Sequence, residues 1–153
     1  MENKKWMWLW VVLPILLVVG LGAIFVNLGM VWFNGLTKPI QWIPNWLIPV
    51  VWSVIYVAFA VVLILWQKQK PFSKCTIVLL IANGALNVLW CLVFFALKLT
   101  FLGNIVIILN LLAGFMLIVD IFLRNRVYGA VLLIYPIWLS IATTLNLAMW
   151  ILN

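Results

Sequence analysis

Apolar residues run along this chain in five long blocks, at about 6–30, 44–66, 76–97, 102–123 and 127–151, and polar residues fall mostly in the gaps between them. As a helix rising about 1.5 Å per residue, each block can cross a hydrocarbon layer of roughly 30 Å. Lipid offers the backbone no hydrogen-bond partner, which excludes open strands, and the ten-residue alternation of a membrane barrel is absent. The pattern predicts an all-α membrane protein: a bundle of five transmembrane helices, with residues 1–153 forming one domain. The first block is predicted to stay on the protein. It runs past the apolar core of about 7–15 residues that marks a removable signal, and Asn27 to Met30 make a poor cleavage site.

Composition strengthens this picture. Hydrophobic residues make up 69% of the chain and charged residues 7%, and the mean hydropathy is +1.33. Globular domains carry roughly 25% charged residues, which a water-facing surface requires. The net charge of +7 forms no stripe that would suit nucleic acid. Lys4 and Lys5 precede the first span, Lys68, Lys70 and Lys74 separate the second from the third, and Arg124 and Arg126 separate the fourth from the fifth. Lys38 and Lys98 alone fall at the other end. Basic residues concentrate on the cytoplasmic side of membrane proteins. A multi-pass protein of the cell membrane is therefore expected, with its N-terminus in the cytoplasm and its C-terminus outside. Cys75 and Cys91 are too few for a disulfide framework, and both are expected to be structural thiols.

The chain has eleven tryptophans. Trp6, Trp8, Trp10, Trp32, Trp42, Trp46, Trp66 and Trp150 lie at or near predicted span ends, where amphipathic indoles favour the headgroup layer. Trp52, Trp90 and Trp138 lie deeper. Asn83, Asn87, Trp90 and Phe94 share one helical stripe, as do Tyr135, Trp138, Ala142 and Asn146, and Trp52 and Tyr56 are one turn apart. An amide in hydrocarbon is costly unless paired, so these stripes should face the interior. They serve there either as glue between helices or as the wall of an apolar pocket with a few orienting polar groups. We favour the pocket. The segment at about 31–43, with Trp32, Phe33, Lys38, Pro39 and Trp42, is stiff enough to cap it. Pro14, Pro49 and Pro136 should bend or loosen their helices.

In these residues the chain resembles the TspO/MBR family, the translocator proteins once called peripheral benzodiazepine receptors. Trp32-Phe33, Leu36, Lys38-Pro39, Trp46, Trp52 and Tyr56 match its first loop and second helix. Asn87, Trp90 and Phe94-Phe95 match its third-helix motif, and Tyr135, Trp138, Ala142 and Leu145-Asn146 match its fifth. The chain departs from the pattern at Gln41, Ile43 and Pro136. The resemblance covers most of the chain and implies a five-helix bundle, usually a homodimer, that binds hydrophobic small molecules in a cavity beneath the first loop. It implies protoporphyrin and other tetrapyrroles, or benzodiazepine-type drugs, as ligands, with no obligate cofactor. Bacterial members are associated with tetrapyrrole transport, stress response and light-dependent breakdown of protoporphyrin. The positions carried over are Trp52, Asn87, Trp90, Trp138 and Ala142. The same stripes add Trp32, Tyr56, Phe94, Tyr135 and Asn146 as candidate ligand contacts.

The residue chemistry narrows the mechanism. Histidine, the commonest haem ligand, is absent, and no metal site is expected. A porphyrin would be gripped through its flat face by Trp52 and Trp138, with Asn87 or Asn146 touching its polar atoms. Lys38 would either meet a propionate or simply be solvated. Of the two carboxylates, Glu2 and Asp120, the second stands one turn before Arg124 and should form an ion pair with it. A proton-coupled exporter lacks its mid-membrane acid, and acid–base catalysis lacks its groups. Any reaction would draw on the ligand's own chemistry, with Trp52 and Trp138 as electron donors in photo-oxidative porphyrin degradation. Passive transport or chaperoning of the same ligands is the alternative, and a purely structural role the third. The last helix does not fit the proposed sterol motif, so sterol affinity should be weak.

Overall fold

A computed structural model describes residues 6, 8–40 and 43–153. Glu2, Lys4, Lys5, Gln41 and Trp42 lie outside the described residues. Helix α1 spans Leu9–Asn34, α2 Leu47–Gln69, α3 Lys74–Cys91 and α4 Thr100–Arg124. The fifth span is made of α5 (Arg126–Leu132) and α6 (Ile134–Leu152). All five are long and apolar enough to cross a membrane.

Local chemistry sets the ends. Ser73 caps α3 by accepting a hydrogen bond from the Thr76 N–H at 3.1 Å, and Asn125 caps α5 by accepting one from Tyr128 N–H at 3.1 Å. The spans run a few residues past or short of their predicted limits, most visibly at α1. With no breaker between the predicted end at residue 30 and Gly35, α1 continues to Asn34, so Trp32 and Phe33 stand on its last turn and not in the loop. Pro49 sits in the first turn of α2, where a missing N–H leaves no helical bond unmade. Pro136 cannot bond the carbonyl of Leu132 and its ring crowds that carbonyl, and the break between α5 and α6 falls at Leu133.

The spans form a closed ring in the order first, second, fifth, fourth, third. Helix α4 is the most deeply packed, turning Ile107, Asn110, Gly114, Leu117 and Ile121 toward α3, α5 and α6. Helix α1 is the most peripheral, burying only Val11, Gly22, Gly29 and Phe33. After Cys91 the third span widens into a π turn, Leu92–Ala96, closed by Leu97 N–H donating to Leu92 O at 2.9 Å. A β-carbon on Gly29 would lie 2.2 Å from the carbonyl oxygen of Phe95, so α1 touches this turn backbone to backbone. Lys98 then takes a left-handed conformation, with φ of 60°, to turn the chain into α4.

Candidate functional site

Where α1, α3 and α6 end and α2 begins, the ring holds a cavity of about 60 Å³. Phe33, Ile48, Trp52, Trp90, Phe94, Phe95, Trp138, Ala142, Leu145 and Asn146 wall it. Six of the expected site residues are thus brought together: Trp52, Trp90, Phe94, Trp138, Ala142 and Asn146. The rings contact one another directly. Trp52 and Trp90 centroids are 6.5 Å apart and Trp90 and Phe94 6.0 Å apart, both stacked, while Phe95 meets Trp90 edge-on at 5.6 Å.

The remaining four expected residues support the wall from behind. Trp32 is half-buried and stands edge-on to Phe94 at 5.7 Å, and the rotation of one helical residue puts Phe33 at the cavity in its place. Tyr56 stacks on Trp52 at 5.7 Å and donates to Asn87 Oδ1 at 3.4 Å. Tyr135 is buried and donates to Asn83 Oδ1 at 2.7 Å, and Asn83 Nδ2 donates to Asn110 Oδ1 at 3.0 Å. Asn87, Tyr56 and Tyr135 therefore form part of a hydrogen-bonded layer next to the cavity. Six of the expected residues therefore wall the cavity and four brace it, because a buried polar group takes a partner on a neighbouring helix where one is in reach.

Phe33, Ile48, Phe95 and Leu145 also line the wall; Phe33 is expected in the cap and Phe95 and Leu145 within matched motifs, but none as a ligand contact. The doubled aromatics Trp32-Phe33 and Phe94-Phe95 were a usable signal. Ile48 and Leu145 look like any lipid-facing residue. Phe95 turns inward because the π turn adds a residue to the helical cycle and lets two successive rings face the interior.

Polar contacts at the cavity are few. Asn146 Nδ2 donates to Asn104 Oδ1 on α4 at 2.8 Å. The indole Nε1 atoms of Trp90 and Trp138 are buried without an acceptor, as is Asn104 Nδ2. Lys38 holds its ammonium 5.1 Å from the ring centre of Phe33. The segment following α1 is clasped by the other end of the chain: Thr37 N–H donates to Asn153 Oδ1 at 2.9 Å, and Asn153 Nδ2 donates to Thr37 O at 3.1 Å. At the opposite end of the bundle, Arg124 donates twice to Asp120, at 3.0 and 2.9 Å, forming the expected ion pair.

A ring of five membrane-spanning helices around an aromatic cavity defines a multi-pass membrane protein with an intramembrane site. The TspO/MBR family profile matches residues 10–151, and the chain belongs to that family. It is 31% identical over 123 residues to the tryptophan-rich protein TspO of Archaeoglobus fulgidus, covering 80% of each chain. It is 29% identical over 126 residues to protein CrtK of Rhodobacter capsulatus, covering 80% of this chain and 78% of that one. It is also 29% identical over 128 residues to the human translocator protein, covering 80% and 75%.

Proposed function

We propose that this protein is a membrane receptor for tetrapyrroles and similar flat, lipophilic molecules, taken up between the rings of Trp52, Trp90 and Trp138. The observation that carries this proposal is the convergence of those three indoles, from three spans, on one cavity. Family membership supports ligand binding in general. The cavity's size bears on how binding proceeds. Small-molecule pockets run to roughly 300–1,000 Å³, whereas this one is about 60 Å³. An empty apolar chamber of about 300 Å³ would cost roughly 7 kcal/mol, at about 24 cal/mol per Å³ of void. The rings avoid that cost by closing on one another, and a ligand enters by parting them. The unpartnered N–H groups of Trp90 and Trp138 favour a ligand that brings an acceptor, such as a carbonyl or carboxylate oxygen.

Bound porphyrin would rest against oxidisable rings, since Trp52 also contacts Tyr56 and Tyr135 at 5.7 and 6.3 Å. Under light, the excited macrocycle accepts one electron from an indole and passes it to dioxygen; the superoxide adds to the ring, and the adduct returns one electron to the indole radical cation, so that the net change is addition of dioxygen to the macrocycle. Passive carriage is the competing proposal and needs no such step. In both, the end bearing Lys68, Lys70, Lys74, Arg124 and Arg126 faces the cytoplasm.

Titrating protoporphyrin against tryptophan fluorescence tests binding: saturable quenching is expected, and its absence at micromolar ligand would overturn the receptor proposal. Illuminating the complex separates the two mechanisms. Slower bleaching in Trp52→Phe with Trp138→Phe, at unchanged occupancy, supports electron donation; an unchanged rate leaves carriage.

A further inference from the structure

A second feature, independent of the cavity, lies at the other end of the bundle. Two short connections meet there, 70–73 between α2 and α3 and Asn125 between α4 and α5. They are braced against each other. Gln69 Nε2 donates to Tyr128 Oη at 2.7 Å, and Thr76 Oγ1 donates to Asp120 Oδ2 at 2.6 Å. Trp66 is fully buried between them, 5.5 Å from Phe72 and 6.3 Å from Tyr128, with the Lys70 ammonium 6.0 Å from its ring centre. The two connections are therefore held against each other, with Lys70 laid over Trp66, and do not form a floppy loop.

Lys68, Lys70, Lys74, Arg124 and Arg126 are all exposed at this end, and Asp120 is the only carboxylate among the described residues. Arg124 is neutralised by Asp120. That leaves Lys68, Lys70, Lys74 and Arg126 as four positive charges with no anionic partner among the described residues. Just inside the membrane from them, Leu65, Ile77, Val127 and Val131 face outward. The surface offers cations at headgroup depth above an apolar flank, which matches a molecule with an anionic head and acyl chains.

We infer that this braced basic end is a binding site for an anionic phospholipid, whose phosphate sits among Lys68, Lys70, Lys74 and Arg126 and whose chains lie along the outward residues of α2, α3 and α5. Charge complementarity selects the lipid, and the bracing holds the two connections that carry these cations at one end of the bundle.

The test uses the full chain in nanodiscs of phosphatidylcholine alone or with phosphatidylglycerol. Expected are a higher Tm with phosphatidylglycerol and its preferential retention over phosphatidylcholine in native mass spectrometry. Lys74→Gln or Arg126→Gln should lower that preference about fivefold each, the equivalent of roughly 1 kcal/mol per basic residue. The pair Lys38→Gln and Lys98→Gln, at the opposite end, should leave it unchanged. Should a variant fail to fold, salt titration of the natural protein decides, because the preference must weaken as ionic strength rises. Equal retention of the two lipids, a preference indifferent to salt, or an equal Tm gain from inorganic phosphate in phosphatidylcholine would each overturn the proposal.

Discussion

The indoles of Trp52 on α2 and Trp90 on α3 stack with centroids 6.5 Å apart, although the backbones of those two helices make no contact. The second and third spans therefore meet only through side chains, and the cavity sits where they meet. Replacing Trp90, which is 8% exposed, removes the centre of this stack. Trp90→Ala should destabilise the fold by about 3–5 kcal/mol, the range for deleting a buried large aromatic. Trp90→Phe should cost less and weaken porphyrin quenching. Denaturant titration in detergent, followed by far-ultraviolet circular dichroism, measures the first effect.

The amide layer beside the cavity makes a separate prediction. Tyr135 Oη, Asn83 and Asn110 link α6, α3 and α4 through bonds of 2.7 and 3.0 Å. Bonds of this kind in membranes contribute about 0.6 kcal/mol on average and up to about 1.7. Tyr135→Phe should therefore lose about 1 kcal/mol. A double-mutant cycle with Asn83→Leu should return a coupling of similar size. Zero coupling would mean that the two groups are not bonded.

Two glycines of α1 should behave in opposite ways. At Gly29 a β-carbon would collide with the Phe95 backbone, with 2.2 Å to its oxygen and 2.5 Å to its carbonyl carbon. Gly29→Ala must push α1 off the π turn, at a cost of about 1–3 kcal/mol, and should disturb Phe33 at the cavity wall. Gly20 has nothing within 4 Å. Gly20→Ala should be neutral, or stabilising by up to about 1 kcal/mol through helix propensity. Thermal unfolding of the two variants side by side makes the comparison.

Asn153 grips both the N–H and the C=O of Thr37. Asn153→Ala removes these two exposed bonds and a third, from Nδ2 to Met149 O at 2.8 Å, all at the end of the last helix, so the global Tm should shift little, by the equivalent of about 1 kcal/mol. Locally the segment should open more often. Hydrogen exchange at the Thr37 amide should speed up in the variant, and an unchanged rate would show that Asn153 does not hold the segment.

The number of spans was readable from the chain because it depends on length and apolarity, which are local properties. The inward faces of α3 and α6 were readable for a similar reason: Asn83, Asn87 and Trp90, like Tyr135, Trp138 and Asn146, keep a regular helical period, and hydrocarbon does not tolerate an unpaired amide. Regularity also marked the limit. Phe95 reaches the cavity through a π turn, and no hydrophobic period announces an added residue in the helical cycle. Phe33 arrives because α1 continues past its apolar block to Gly35. Ile48 and Leu145 carry no distinguishing chemistry.

What the sequence by itself determined, then, is that five helices cross a membrane and which of their faces turn inward, because solvation by lipid acts on each helix alone. Only the tertiary structure decided which inward groups meet. Asn87 went to Tyr56 and Asn83 to Asn110, while Trp52 stacked on Trp90 and, with Trp138, left a small cavity. Partner choice depends on the order of the spans around the ring and on backbone approaches such as Gly29 to Phe95, which involve residues far apart in the chain.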